Sequence, residues 1–177
     1  MTRCQECGYD WDIPASKAVA TIGAFPARLS VLLRAARADD DPRIRIRPAA
    51  TTWSPLEYIA HTGDAIDWYA RRVDRVLSEH RPALDARDWD AYTSKQRYHE
   101  RRLDELIRAV SDTCTACTAP LAVLDAAQWN EVGIGSDGQP RTVLQLARRA
   151  AHEAHHHLQD VQIGLASRNA ASDHLSS

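Results

Sequence analysis

HEAHHHLQDV, His152 to Val161, places four of the chain's eight histidines on little more than two turns of predicted helix. A helix presents residues i and i+4 on one face. The run therefore offers two ligand pairs of zinc-type spacing, Glu153 with His157 or His152 with His156. The competing reading is a solvated polar helix end. Which pair turns inward has to be settled by the phase of the helix that carries them.

That helix is expected to run from Thr142 to about Ala166. At about 100° per residue, Val143, Leu146, Ala147, Ala150, Ala154, Leu158 and Val161 form one apolar stripe. Glu153 and His157 fall at its edge, while Gln145, Arg148, Arg149, His152, His156 and Gln159 gather opposite. The phase favours Glu153 and His157 as the inward pair and leaves the other histidines at the outer shell or surface. A carboxylate at a core edge stays charged only when paired or coordinated, and a divalent metal would meet that need.

A third ligand has to come from a facing helix. Helix two has the clearest start in the chain: Ser54 caps, Pro55 suits the first turn and Glu57 completes a capping box. It is expected to reach about Leu77 with a wide buried arc, and it carries His61 among aromatics. His61 is thus a satisfied core histidine or the third ligand.

The remaining segments are also helical in pattern. Helix one is expected from about Ser16 to Ala38, with Pro26 bending or dividing it. The RIRIRPAATT linker is read as a loop. A connection from Ser78 to about Asp90 is too long for a tight antiparallel turn, and helix three is expected from about Ala91 past Cys117. Gly133, Gly135 and Gly138 lie in a turn-rich loop that follows no strand and cradles no phosphate. The count is four long helices, an all-α domain over residues 13–168, with an arm at 1–12 and a disordered tail at 169–177.

Composition narrows the function classes. A net charge of -2 gives no electrostatic reason to expect nucleic acid. No apolar run reads as a membrane span, and a cytoplasmic location is expected. The four cysteines form two CxxC pairs, Cys4 with Cys7 and Cys114 with Cys117. They suit metal ligation in a reducing compartment better than a disulfide framework. Either four thiolates share one structural zinc or the pairs are unrelated reduced thiols.

The segment WSPLEYIAHTGD around His61 and the motif ExxxHxxD from Glu153 to Asp160 resemble the DinB-like superfamily of metal-binding four-helix bundles. They are similar in particular to its thiol-dependent branch, which includes mycothiol-dependent maleylpyruvate isomerase. The likeness covers roughly Ala18 to Leu165. It implies an up-down-down-up four-helix bundle whose metal (zinc foremost, with nickel, iron or manganese as alternatives) is held by His61, Glu153 and His157. Other members use H-x-x-x-H, which would give His152 and His156. The CxxCG arm and the second CxxC depart from the isomerase pattern. In the implied topology the start of helix one and the end of helix three share one end of the bundle, which favours a Cys4, Cys7, Cys114 and Cys117 zinc clasp.

Three protein ligands leave coordination positions open. The expected function is metal-assisted activation of a low-molecular-weight thiol toward a small electrophile, by transfer or isomerisation. His61, Glu153 and His157 would be the catalytic ligands, Asp160 or His156 an outer partner, and Tyr58, Asp64 and Trp68 pocket walls. A hydrolase using a bound water has the same ligands, and a non-catalytic metal-binding stress protein is a reading of another class. In a last reading the helices form a homodimer and the histidines are incidental.

Overall fold

The computed structural model describes residues 2–38 and 41–166, and the expected tail lies outside them. Among the described residues are five α-helices: α1 (Ala15–Ala35), α2 (Pro55–Ser78), α3 (Trp89–Lys95), α4 (Leu103–Leu121) and α5 (Val143–Ala166). The four long ones form the bundle, with α1 and α2 at opposite corners and both packed on α4 and α5.

Side-chain approaches fix the directions. Ile13, just before α1, meets Arg148 near the start of α5, so α1 and α5 run together. Pro55 at the start of α2 lies against Gly164 at the end of α5, so these two are antiparallel. Gly63 faces Val110 in α4, and further along α2 Asp67, Ala70 and Asp74 border the groove that holds Cys117. Helices α2 and α4 are therefore parallel, which gives the up-down-down-up order.

Helix α2 begins as its capping box dictates: Ser54 Oγ accepts from the Glu57 amide at 3.3 Å and Glu57 Oε2 accepts from the Ser54 amide at 2.8 Å. Glu57 also receives Arg47 of the arginine-rich linker in a forked pair. A second reciprocal cap starts α5, between Thr142 and Gln145. The core between the helices is built from Ile22, Phe25 and Leu29, Leu56, Ile59 and Ile66, Leu106 and Val110, and Leu146, Ala150 and Val161.

Several local expectations are corrected. Helix one is not divided at Pro26 and ends at Ala35; Ile22, Phe25 and Leu29 on both sides of the proline are held in one core. By length and mean hydropathy α1 could cross a membrane, contrary to the sequence reading, but here its apolar face lies against α4 and α5. Part of the linker, Pro42–Arg45, is a 3-10 turn capped by Asp41. The expected helix three is broken into α3 and α4, because Arg97 takes a left-handed φ of 50° and the buried Tyr98 turns inward to donate its hydroxyl to Asp64 of α2. The glycine-rich loop belongs to a small antiparallel hairpin, β1 (Val132–Ile134) and β2 (Pro140–Thr142). Its Ile134 pairs with Pro82 and Leu84 of the long α2–α3 connection.

Gly63 sets the α2–α4 spacing, since a Cβ there would lie 2.9 Å from Val110 Cγ2. Alanine in a helix interior is ordinarily favoured over glycine by about 1 kcal/mol, but a β-branched neighbour has little rotamer freedom to yield. Gly63→Ala is expected to lower stability by about 1–3 kcal/mol in chemical denaturation, and adding Val110→Ala should recover part of the loss. A stabilising Gly63→Ala would contradict this packing.

Candidate metal centre

Two i,i+4 pairs one residue apart on α5 lie about 100° apart around its axis, and the bundle uses this offset. Ala150, Ala154, Leu158 and Val161 are buried against the neighbouring helices. That seats Glu153 and His157 at the α2–α5 seam, opposite the buried His61.

The three side chains converge. Glu153 Oε2 lies 3.4 Å from His61 Nε2 and 3.1 Å from His157 Nε2. Ligand atoms held about 2.1 Å from one ion in tetrahedral or octahedral geometry stand about 3–3.4 Å apart, so the set fits a divalent cation. His157 Nδ1 is 2.8 Å from Asp160 Oδ2, the outer carboxylate that fixes a ligating imidazole's tautomer. His61 Nδ1 is buried without a hydrogen-bond partner. Two imidazoles and one carboxylate form the catalytic type of donor set, with positions left for water or substrate.

Aromatic rings enclose the centre. Trp53 and Trp89 each stand 4.7 Å from the His61 ring, Trp89 edge-on, and Tyr58 stacks on His157 at 5.3 Å. Of the expected wall residues, Tyr58 is therefore at the centre. Asp64 is instead engaged by Tyr98, and Trp68 donates to Asp85. Trp89 had no periodic signal because it opens the short α3 after a long link.

Trp89 and Trp68 also line a cleft of about 300 Å³ with Arg72, Arg87, Arg141 and Arg149. Arg149 is one turn before Glu153 on α5. The Arg72 guanidinium lies 4.1 Å over the Trp68 ring, and its Nε is buried without a partner. Burial pulls the Arg72 pKa down. Arginines scattered through the sequence gave no sign of this cleft.

The cysteines are arranged differently from the four-thiolate clasp. Cys114 and Cys117 are buried on α4, Cys114 toward Gly23, Pro26 and Ala27 of α1 and Cys117 toward α2. The arm shares their end of the bundle but turns along the outside of α5. There Cys4 and Cys7 meet His152 and His156, so these two histidines are covered and not at the surface. Burial raises the Cys114 and Cys117 thiols to about 12. Cys4 is lowered to about 6, by the Cys7 amide first and then by His152.

Electrostatics at the centre follow from burial and charge pairing. Burial opposes a charged Glu153, yet contacts from His152, His157 and His61 hold it well below the ordinary carboxylate range. Burial likewise opposes a charged His157, but Asp160 and Glu153 outweigh it and raise the imidazole to about 9. His61 is lowered, chiefly by burial. In the metal-free protein a group raised from 6.5 to about 9 contributes stability that is full below pH 6.5 and lost as pH rises through 9. The difference in denaturation midpoint between metal-free wild type and metal-free His157→Gln should therefore be largest at about pH 6 and shrink toward about pH 9. A difference that stays constant would show that His157 holds no such proton.

Comparison with known proteins agrees with this architecture. The structure is similar to YfiT from Bacillus subtilis, described as a probable metal-dependent hydrolase with an unusual four-helix bundle topology. The TM-score is 0.77 at 17% identity, over 88% of this chain and 87% of that one. At that identity the likeness concerns the fold. No curated protein sequence matches. The model of the DinB superfamily matches residues 24–161, from the middle of α1 to the last turns of α5 and including all three converging side chains. The chain belongs to the DinB superfamily.

Proposed function

We propose that this protein is a metal-dependent enzyme that activates a low-molecular-weight thiol and directs it at a small electrophile. The convergence of His61, Glu153 and His157, with Asp160 behind His157, is the observation that carries this reading. A divalent ion bound there supplies a Lewis acid that acidifies a thiol or a water molecule. The chain's own part is to aim the two Nε2 atoms and the Glu153 carboxylate at one point, to exclude water with Trp53, Tyr58 and Trp89, and to hold the His157 Nδ1 proton through Asp160, so that Nε2 is the nitrogen given up to an ion. The cleft beside Trp89 sets four arginines against Asp85 and Asp137, the latter paired with Arg141, and this excess of guanidinium supports an anionic substrate, because such groups recognise carboxylates by paired hydrogen bonds.

Hydrolysis is the second reading, favoured by the description of YfiT as a probable metal-dependent hydrolase. The two are separated by supplying the metal-loaded protein with a reactive electrophile, such as maleylpyruvate or a bimane, with and without thiol. Thiol-dependent turnover is expected. Turnover that needs only water would favour the hydrolase, and none with any divalent metal or thiol would remove both.

His61→Ala, Glu153→Ala and His157→Ala should each abolish this metal in elemental analysis. Asp160→Asn should weaken its binding by about 10–100-fold. Arg149→Ala should raise KM for an anionic substrate with kcat little changed, as measured by steady-state kinetics.

A further inference from the structure

The N-terminal arm carries chemistry that the bundle centre does not use. Its residues Cys4-Gln-Glu-Cys7-Gly8 close a tight turn: the Gly8 amide donates to the Cys4 carbonyl at 3.0 Å, and the Cys4 amide to the Tyr9 carbonyl at 2.8 Å. Gly8 takes a φ of 71°, which a glycine adopts without strain. Tyr9 fixes the turn to α5 by donating its hydroxyl to the Arg148 carbonyl at 2.8 Å. Trp11 stacks on the His152 ring at 4.5 Å. The Cys7 carbonyl lies 3.2 Å from His155 Nε2 and accepts from Gln159.

The arm is thereby held so that one ligand atom from each of Cys4, Cys7, His152 and His156 lies within 4.8 Å of all the others. Cys4 Sγ is 4.0 Å from His156 Nδ1, against about 3.5 Å for a sulfur and a nitrogen on one tetrahedral zinc. His156 Nε2 is faced by Glu6 at 3.4 Å and Asp160 at 3.5 Å, the outer carboxylates expected when Nδ1 ligates. His152 Nε2 is buried and has no hydrogen-bond partner. Such a nitrogen costs free energy unless something binds it.

We propose that Cys4, Cys7, His152 and His156 bind a structural zinc ion that fastens the N-terminal arm to α5. The spacing, C-x2-C with H-x3-H, and the donor set of two thiolates and two imidazoles are those of closed Cys2His2 zinc sites. Four protein ligands leave no position for substrate, so this ion is distinct in kind from one held by His61, Glu153 and His157. This mixed soft and borderline donor set favours zinc over the hard cations.

The test uses the full chain purified under reductant. Wild type is expected to carry two zinc ions, His61→Ala one, and Cys4→Ser/Cys7→Ser one. X-ray absorption on the single zinc of His61→Ala should show two sulfur and two nitrogen neighbours. After cobalt(II) replacement, that variant should show a near-ultraviolet thiolate-to-cobalt band. The band should persist with Cys114→Ala and Cys117→Ala and vanish with Cys4→Ser/Cys7→Ser. Four sulfur neighbours, only nitrogen and oxygen neighbours, or no zinc in reduced His61→Ala would each overturn the proposal. If the cysteine variant does not fold, the absorption measurement on His61→Ala still decides. Failure of the bundle site would appear separately, as wild type and His61→Ala proteins that carry the same number of zinc ions.

Discussion

A carboxylate at the edge of an apolar core is the constraint on which the site depends. Glu153 is placed there by the alanine and leucine stripe of α5, and it remains charged only because imidazoles surround it. That requirement draws His61 from α2 and His157 from the next turn of α5 to one oxygen. The same requirement makes the position hospitable to a divalent cation, which satisfies one carboxylate and two neutral imidazoles together.

The up-down-down-up order makes this meeting possible. With α1 and α2 at opposite corners, α5 lies along α2 for much of its length, and the early turns of α2 face the middle of α5. The long connection this order demands is pinned by Ile134 of the hairpin. It delivers Trp89 to the His61 ring, so the link that completes the topology also walls the centre.

The four long segments and the inward phase of Glu153 and His157 were legible because burial on one side of a helix leaves a period of 3.6 in the sequence. The capping box at Ser54 was legible because its partners lie three residues apart. The second cap, Thr142 with Gln145, carries the same local signal. Trp89, the hairpin, the break at Arg97 and the arginine cleft depend on contacts remote in sequence, for which no local pattern exists. Cys4 and Cys7 lie beside His152 and His156, away from Cys114 and Cys117, for a related reason. Topology put the arm at the end of the bundle near Cys114, but Tyr9 and Trp11 choose α5 over α4 by packing on Arg148 and His152.

Helix α5 carries two chelating pairs that differ by a single residue in register, and either could capture an ion arriving from solvent. The arm lays Cys4 and Cys7 beside His152 and His156, leaving Glu153 and His157 to face His61. It thereby sorts the side chains of one helix into a group that includes sulfur and a group of nitrogen and oxygen alone. With an ion in each group, a peripheral turn of a dozen residues would protect the centre from competition by its own neighbours.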